Sequence, residues 1–272
     1  MSDPLPSAQV PVLEPADCFT VMTFNIAHGR GTRFHQTLVS RAVMERNLHA
    51  IAEQIQSHQP HVVALQEIDQ HSFWNHHVDQ LAFLQALTAY DHALHGIHKD
   101  APLILSRWML RYGVGLLSRL EPLEAVSEAF QLGRLDSKGF ARKLVQFAQK
   151  RIMVIGVHLD FQRHSRRLAQ VERLIAHVRA QEGTFDHLVI MGDFNCSLYQ
   201  AQSALHYLME QLHLHTWEQG TRQEHISFPA PGPLANRLDY VLVDQGLTFE
   251  SYNTSRVRLS DHEYVVARLR WA

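Results

Sequence analysis

"VIMGDFNC" at 189–196 runs Val, Ile, Met and Gly straight into a carboxylate, Asp193, and two residues later into a carboxamide, Asn195. An apolar run of this length reads as a strand buried on both faces, and its core gains nothing from ending on two polar side chains that share a face. The end of this strand is therefore marked as a site. The same pattern recurs outward from it. "CFTVMTFN" (18–25) stops at Asn25, "HVVALQEI" (61–68) reaches Glu67, and "RIMVIGVHL" (151–159) carries His158 near its end. "LDYVLV" (238–243) has Asp239 at its start, and "EYVVARLRW" (263–271) follows directly on Asp261 and His262. In a sheet of mixed direction, C-terminal ends of some strands lie beside N-terminal ends of their antiparallel neighbours. These residues are thus predicted to meet at one sheet edge.

Helical periodicity fills the spaces between. Residues 40–58 place Met44, Leu48, Ile51 and Ile55 on one face behind Ser40 as N-cap. Residues 74–90 do so with Leu81, Leu84 and Leu87, and 164–182 with Leu168, Val171, Ile175 and Val178 ahead of Gly183 as a stop. A further helix is predicted near 199–213. Residues 91–113 show no clean period and are predicted to form a long irregular loop. "GVGLLS" (113–118) and "KLVQFA" (143–148) read as strands flanking a polar connection, with a tight turn at "QK" (149–150) closing a hairpin. Strand, helix and strand in alternation predict an α/β layered architecture. No repeat or later linker interrupts it, so one domain is expected over 18–272, behind a disordered lead at 1–17 that contains four prolines.

A 272-residue chain with 46% hydrophobic residues can bury a substantial core. Net charge of −2 and a pI near 6.9 give no overall bias toward nucleic acid or an anionic membrane, so a polyanionic partner would need a local basic patch. Arginine outnumbers lysine 21 to 4, which favours forked contacts to carboxylate or phosphate. Two cysteines, Cys18 and Cys196, are too few for a disulfide framework and fit a reducing compartment. The lead lacks a basic and an apolar signal region, and no apolar run reaches the roughly 18–20 residues of a membrane span. A cytoplasmic monomer without a transmembrane segment is the expectation.

The strand-end set is made of oxygen donors and two imidazoles, with no cysteine. Such hard ligands suit Mg²⁺ or Mn²⁺ and a phosphate ester substrate, whose hydrolysis needs a cation, a base for water and donors for the phosphoryl oxygens. Each residue alone has an ordinary reading as an Asx-turn or surface carboxylate; the joint pattern argues for chemistry. Other features are weaker. His92, His95 and His98, and His213 with His215, have metal-like spacings, but twenty histidines make chance clusters common. "RHSRR" (163–167) reads as a solvated helix start. "LILSRWMLRYG" (103–113), with Trp108, Met109 and Leu110 between arginines, suits a lipid interface but reads first as a folded-back core loop.

"TFN", "LQE", "VHLD", "GDFN", "RLDYVLV" and "LSDH", in this order and spacing over about 20–270, resemble the endonuclease/exonuclease/phosphatase superfamily, the DNase I-like fold. That resemblance implies a four-layer sandwich of two packed mixed β-sheets flanked by helices, and a Mg²⁺- or Mn²⁺-dependent phosphoesterase. It implies Glu67 as main metal ligand with Asn25 beside it and Asp261 in support. Asp193 would orient or deprotonate the attacking water and Asn195 would hold a phosphate oxygen. His262 would contact the phosphate or act as base, with Asp239 fixing its tautomer, and His158 would lie toward the leaving group. Three departures stand out. Ala27 replaces the aspartate of apurinic-site endonucleases, and Val114 replaces a phosphate-binding asparagine, a loss that His28 or an arginine would have to compensate. "GFARKLVQF" (139–147) offers no acidic partner for His158. The substrate stays open among a small phosphodiester or monoester, a nucleic acid, and a phospholipid or inositol phosphate. An inactive binding scaffold of the same fold is the non-enzyme alternative.

Overall fold

A computed structural model describes residues 18–102, 109–133, 136–231 and 235–272. The predicted lead at 1–17, and Arg107 and Trp108, lie outside the described residues. In chain order the elements are β1 (Phe19–Asn25), α1 (Arg41–His58), β2 (Val62–Asp69), α2 (Gln80–Thr88), β3 (His92–Pro102), β4 (Met109–Ser118) and β5 (Pro122–Ala129). β6 (Gly139–Phe147), β7 (Lys150–His158), α3 (His164–Arg179), β8 (His187–Asp193) and α4 (Ala204–Leu212) follow, then β9 (Asp239–Val243), β10 (Leu247–Thr254) and β11 (Val265–Trp271).

The strands form two mixed sheets, ordered β10-β11-β1-β2-β4-β3 and β5-β6-β7-β8-β9. Strand alternation explains why their sequences are continuously apolar. In β1, Phe19 and Val21 enter the core between the sheets while Met22 and Phe24 face α1 and α2. In β8, Val189 and Met191 face the other sheet while Leu188 and Ile190 pack on α3 and α4. A strand covered on both faces needs apolar residues at every position. The result is the expected four-layer sandwich, helices outside and sheets inside.

Several local readings change. Residues 91–113 contain strands: β3 pairs antiparallel with β4 as the edge of the larger sheet. Its sequence lacks a period because an edge strand carries polar residues and a bulge shifts the register between Ile97 and Lys99. The polar connection before β6 contains β5, another edge strand. α2 begins only at Gln80, where the Asp79 carboxylate accepts from the Ala82 amide, and α4 begins after Ser203, which caps through the His206 amide. α3 ends at Arg179, four residues before Gly183. Val114 faces the inter-sheet core, fully buried, and so does not stand in the site.

The β6–β7 hairpin turns at Ala148 and Gln149, one residue earlier than predicted, with φ of 45° and 65°. Two consecutive positive φ values favour Asn-Gly over Ala-Gln. Ala148→Asn with Gln149→Gly is expected to stabilise the protein by about 1 kcal/mol. A thermal melt that does not rise for this double variant would count against the turn geometry.

Candidate active site

The alternation that builds the inter-sheet core also builds the site. Asn25, His158, Asp193 and Asp239 continue the inward-facing rows of β1, β7, β8 and β9 past the last apolar side chain, at one end of the sandwich. β7 runs parallel to β8 with His158 opposite Asp193, and β9 runs antiparallel with Asp239 opposite Asp193. The residues thus gather at the ends of both sheets rather than along one sheet edge.

Glu67 arrives by a different route. Val63 and Leu65 face the helices, and strict alternation would send Glu67 after them. A bulge between Gln66 and Ile68 breaks the alternation; Ile68 takes the helix-facing place, and Glu67, at φ 52°, turns into the site. A non-glycine residue in this conformation is strained by about 1–2 kcal/mol, which the surrounding packing must hold.

Asp193 is the hub, 1% exposed. Its Oδ2 accepts from Asn25 Nδ2 at 3.0 Å and from Asn195 Nδ2 at 3.2 Å, and lies 3.4 Å from His158 Nε2 and 3.8 Å from His262 Nε2. Its Oδ1 accepts from the Asn195 amide at 2.9 Å. Burial pushes its carboxyl up to about 6 against the pull of the His262 charge. Behind His262, Asp239 Oδ2 meets Nδ1 at 2.8 Å, and the Phe228 ring packs on the imidazole. Burial alone would discharge His262, but Asp239 and Asp193 outweigh it and raise it to about 10, so the imidazolium persists at neutral pH.

The Glu67 carboxylate lies between an imidazole and an ammonium group. His28 Nε2 stands 3.4 Å from Oε2 and Lys138 Nζ 3.9 Å from Oε1. Burial would raise its pKa, but these neighbours hold it below the usual value. His28 is itself held by Asp69 through Nδ1 at 2.8 Å, and Trp74 Nε1 donates to the other Asp69 oxygen. Asp261 is ion-paired with Arg30 and accepts from Ser260 Oγ. His28 and an arginine therefore do reach the site.

Lys138 was not legible as a site residue. It precedes β6 in the polar connection, yet it is buried, and its Nζ donates to His158 Nε2 at 2.6 Å. The start of β6 thus sets a lysine beside His158, whose acidic neighbours come from other strands, Asp193 at 3.4 Å and Glu67 at 4.0 Å. Burial and this cation lower His158 well below its ordinary value, leaving a neutral ring. Only the burial of a lysine singles it out, and burial is a tertiary property.

Asn25, Glu67 and Asp261 line one cavity of about 100 Å³ with His158, Asp193 and His262. The Glu67 and Asp261 side chains are 26% and 34% exposed within it, and Asn25 Oδ1, which accepts from the Ala27 amide, keeps a second lone pair. An all-oxygen donor set open to a small cavity fits a hard divalent cation. The histidine spacings do not assemble a rival centre. Among the described residues, one trio of His, Cys, Asp or Glu brings its ligand atoms within 4.8 Å of one another, Asp193, Asp239 and His262. His98 is committed to the Phe140 carbonyl and burial lowers it to about 3, while His215 packs on Phe249.

Comparison with solved structures gives the same architecture. An endonuclease/exonuclease/phosphatase from Beutenbergia cavernae superposes with a TM-score of 0.70 at 21% identity, covering 94% of this chain and 72% of its own. A mannosyl-6-phosphatase from Bacteroides thetaiotaomicron gives 0.68 at 13% identity, with 93% and 100% covered. A truncated TDP2 from Caenorhabditis elegans gives 0.66 at 16% identity, with 93% and 97% covered. No curated protein matches the sequence. Residues 22–262 match the Endonuclease/Exonuclease/phosphatase family, and the chain belongs to that family.

Proposed function

We propose that this protein is a Mg²⁺- or Mn²⁺-dependent phosphoesterase that cleaves its substrate by in-line attack of water on phosphorus. The observation that carries the reading is the convergence of Asn25, His158, Asn195 and His262 on Asp193, beside the acidic pair Glu67 and Asp261. Glu67, Asn25 and Asp261 would hold the ion, which when bound neutralises phosphoryl charge. Asp193 orients the attacking water and takes its proton; a carboxylate whose pKa is raised by burial is a better base at neutral pH. The Asn195 side-chain amide gives its two hydrogens to Asp193 Oδ2 and the Leu159 carbonyl, and would hold a phosphoryl oxygen on releasing one of them. His262, charged and fixed by Asp239, stabilises the charge that builds on the phosphoryl oxygens. Lys138 adds a second fixed cation, and neutral His158 faces the departing alkoxide. Phosphatase and TDP2 folds among the structural neighbours support an ester substrate. The substrate is a phosphodiester or a phosphomonoester, and the experiment below distinguishes them.

The test is hydrolysis of bis-p-nitrophenyl phosphate and p-nitrophenyl phosphate with and without Mg²⁺ or Mn²⁺, comparing wild type with Glu67→Ala. Diester cleavage that needs the ion and falls at least about 100-fold in the variant is the expected result. Full activity after chelation, or in Glu67→Ala, removes the metal assignment.

A further inference from the structure

Six large hydrophobic side chains are exposed among the described residues, and five of them stand on the loops that leave the site end of the sandwich. Phe34 and Leu38, 93% and 76% exposed, lie between β1 and α1; Phe161 follows β7, Tyr199 follows β8, and Val257 precedes β11. Leu123, on β5, is the exception. Scattered surface hydrophobics need no explanation, but five on the loops of one end, with Phe161 lining the cavity, do.

Of these loops, the one between β1 and α1 carries positive charge alone. Residues 26–40 include Arg30 and Arg33 and no acidic residue, and residues 194–203 have none either. Arg163, Arg222, Arg256 and Arg258 are exposed on the neighbouring loops. Carboxylates stand among them and are engaged: Glu263 pairs with Arg256 at 3.8 Å, Asp160 with Arg166 at 3.3 Å and Asp261 with Arg30, while Glu224 is turned back to the Thr221 amide. Exposed arginines thus stand on the same set of loops as the exposed apolar tips, and Arg30 lines the cavity itself. The rim is also braced. Asn47 Nδ2 reaches the carbonyls of Gly29 and Leu259, joining the Phe34 loop to the Val257 loop, and Arg30 ties the first of these to Asp261.

We infer that this rim is an interfacial docking surface for a phospholipid bilayer carrying anionic lipid, which sets the cavity against headgroup phosphates. Protruding aromatic and aliphatic tips interleaved with arginines match the acyl boundary and the anionic headgroups of such a surface. A single nucleic acid strand is a poorer fit, because it needs free aromatic faces along a groove. Leu38 and Val257 offer none, and the Tyr199 ring already carries the Arg222 guanidinium at 4.8 Å. The inference rests on the phosphoesterase reading for its substrate, a headgroup phosphate ester, and not for the binding itself.

The experiment is flotation of the full chain with phosphatidylcholine vesicles with and without phosphatidylserine, for wild type, a Phe34→Asp/Leu38→Asp double variant and Arg33→Glu. Wild type is expected to float with anionic vesicles, the double variant to bind at least about tenfold more weakly, and Arg33→Glu to lose most of its preference for anionic lipid. The double variant should retain hydrolysis of bis-p-nitrophenyl phosphate, since neither residue lines the cavity. Absence of wild-type binding, or equal binding by the double variant, overturns the proposal. So does salt-sensitive retention of a single-stranded oligonucleotide without vesicle binding, which reassigns the surface to nucleic acid. Hydrolysis of the soluble diester without vesicle binding removes the docking surface alone; vesicle binding without hydrolysis of any ester removes the phosphoesterase reading but leaves the surface.

Discussion

Asp193→Asn is expected to lower phosphate ester hydrolysis by about a thousandfold or more while leaving the fold in place. The amide is nearly isosteric with the carboxylate and can still accept through its oxygen from Asn25 or Asn195, so packing is preserved. It cannot take a proton from water, and it removes one of the two carboxylates that face His262. His262 should therefore titrate lower than about 10 in the variant, because burial opposes its charge and one of the carboxylates that support it is gone, leaving Asp239, Asp261 and Glu67. Two measurements check the prediction together: the rate on bis-p-nitrophenyl phosphate, and the His262 ring resonances followed against pH. A variant that keeps its rate would dismiss Asp193 as base. One that loses its rate along with its thermal transition would show a structural role instead.

Gly192→Ala is expected to destabilise the protein by at least about 3 kcal/mol. Gly192 sits at φ 151°, and a Cβ there would come within 2.0 Å of the Val157 carbonyl oxygen on the neighbouring strand. That oxygen belongs to backbone in the middle of the smaller sheet and cannot move aside without parting β7 from β8, which between them place His158 and Asp193. Gly183 is the contrast: its φ is 85°, but a Cβ added there would meet nothing within 4 Å, so Gly183→Ala should cost only about 1–2 kcal/mol. Urea unfolding of the two variants separates strain from collision, and equal losses would refute the collision. The collision also accounts for the glycine in "GDFN". It lets two strands close up immediately before the carboxylate that the site is built around.

Much of this was legible because local pattern carries it. Strands β1, β2, β7 and β8 are apolar at nearly every position, since each is covered on both faces, and that signal survives without any knowledge of neighbours. Asn25 and Asp193 interrupt it at strand ends, which is why they could be named from the chain alone. α1 and α3 were legible for the same reason, their apolar residues recurring at helical spacing. β3 and β5 were not: as edge strands they are polar on the outside, and the bulge in β3 destroys the alternation that would have betrayed it.

The sequence by itself determined the two-sided burial of the central strands, the layered architecture that follows, and the polar residues left over at the strand ends. Only the tertiary structure decided which way Glu67 points, since its direction depends on a bulge held by β4 rather than on the period of β2. It also decided that Lys138 is buried against His158, and that loops from both sheets bring their arginines and apolar tips to one rim. Periodicity is a property of a single segment in contact with a layer; register, bulges and buried charge pairs arise from partners distant in the chain, and no local pattern records them.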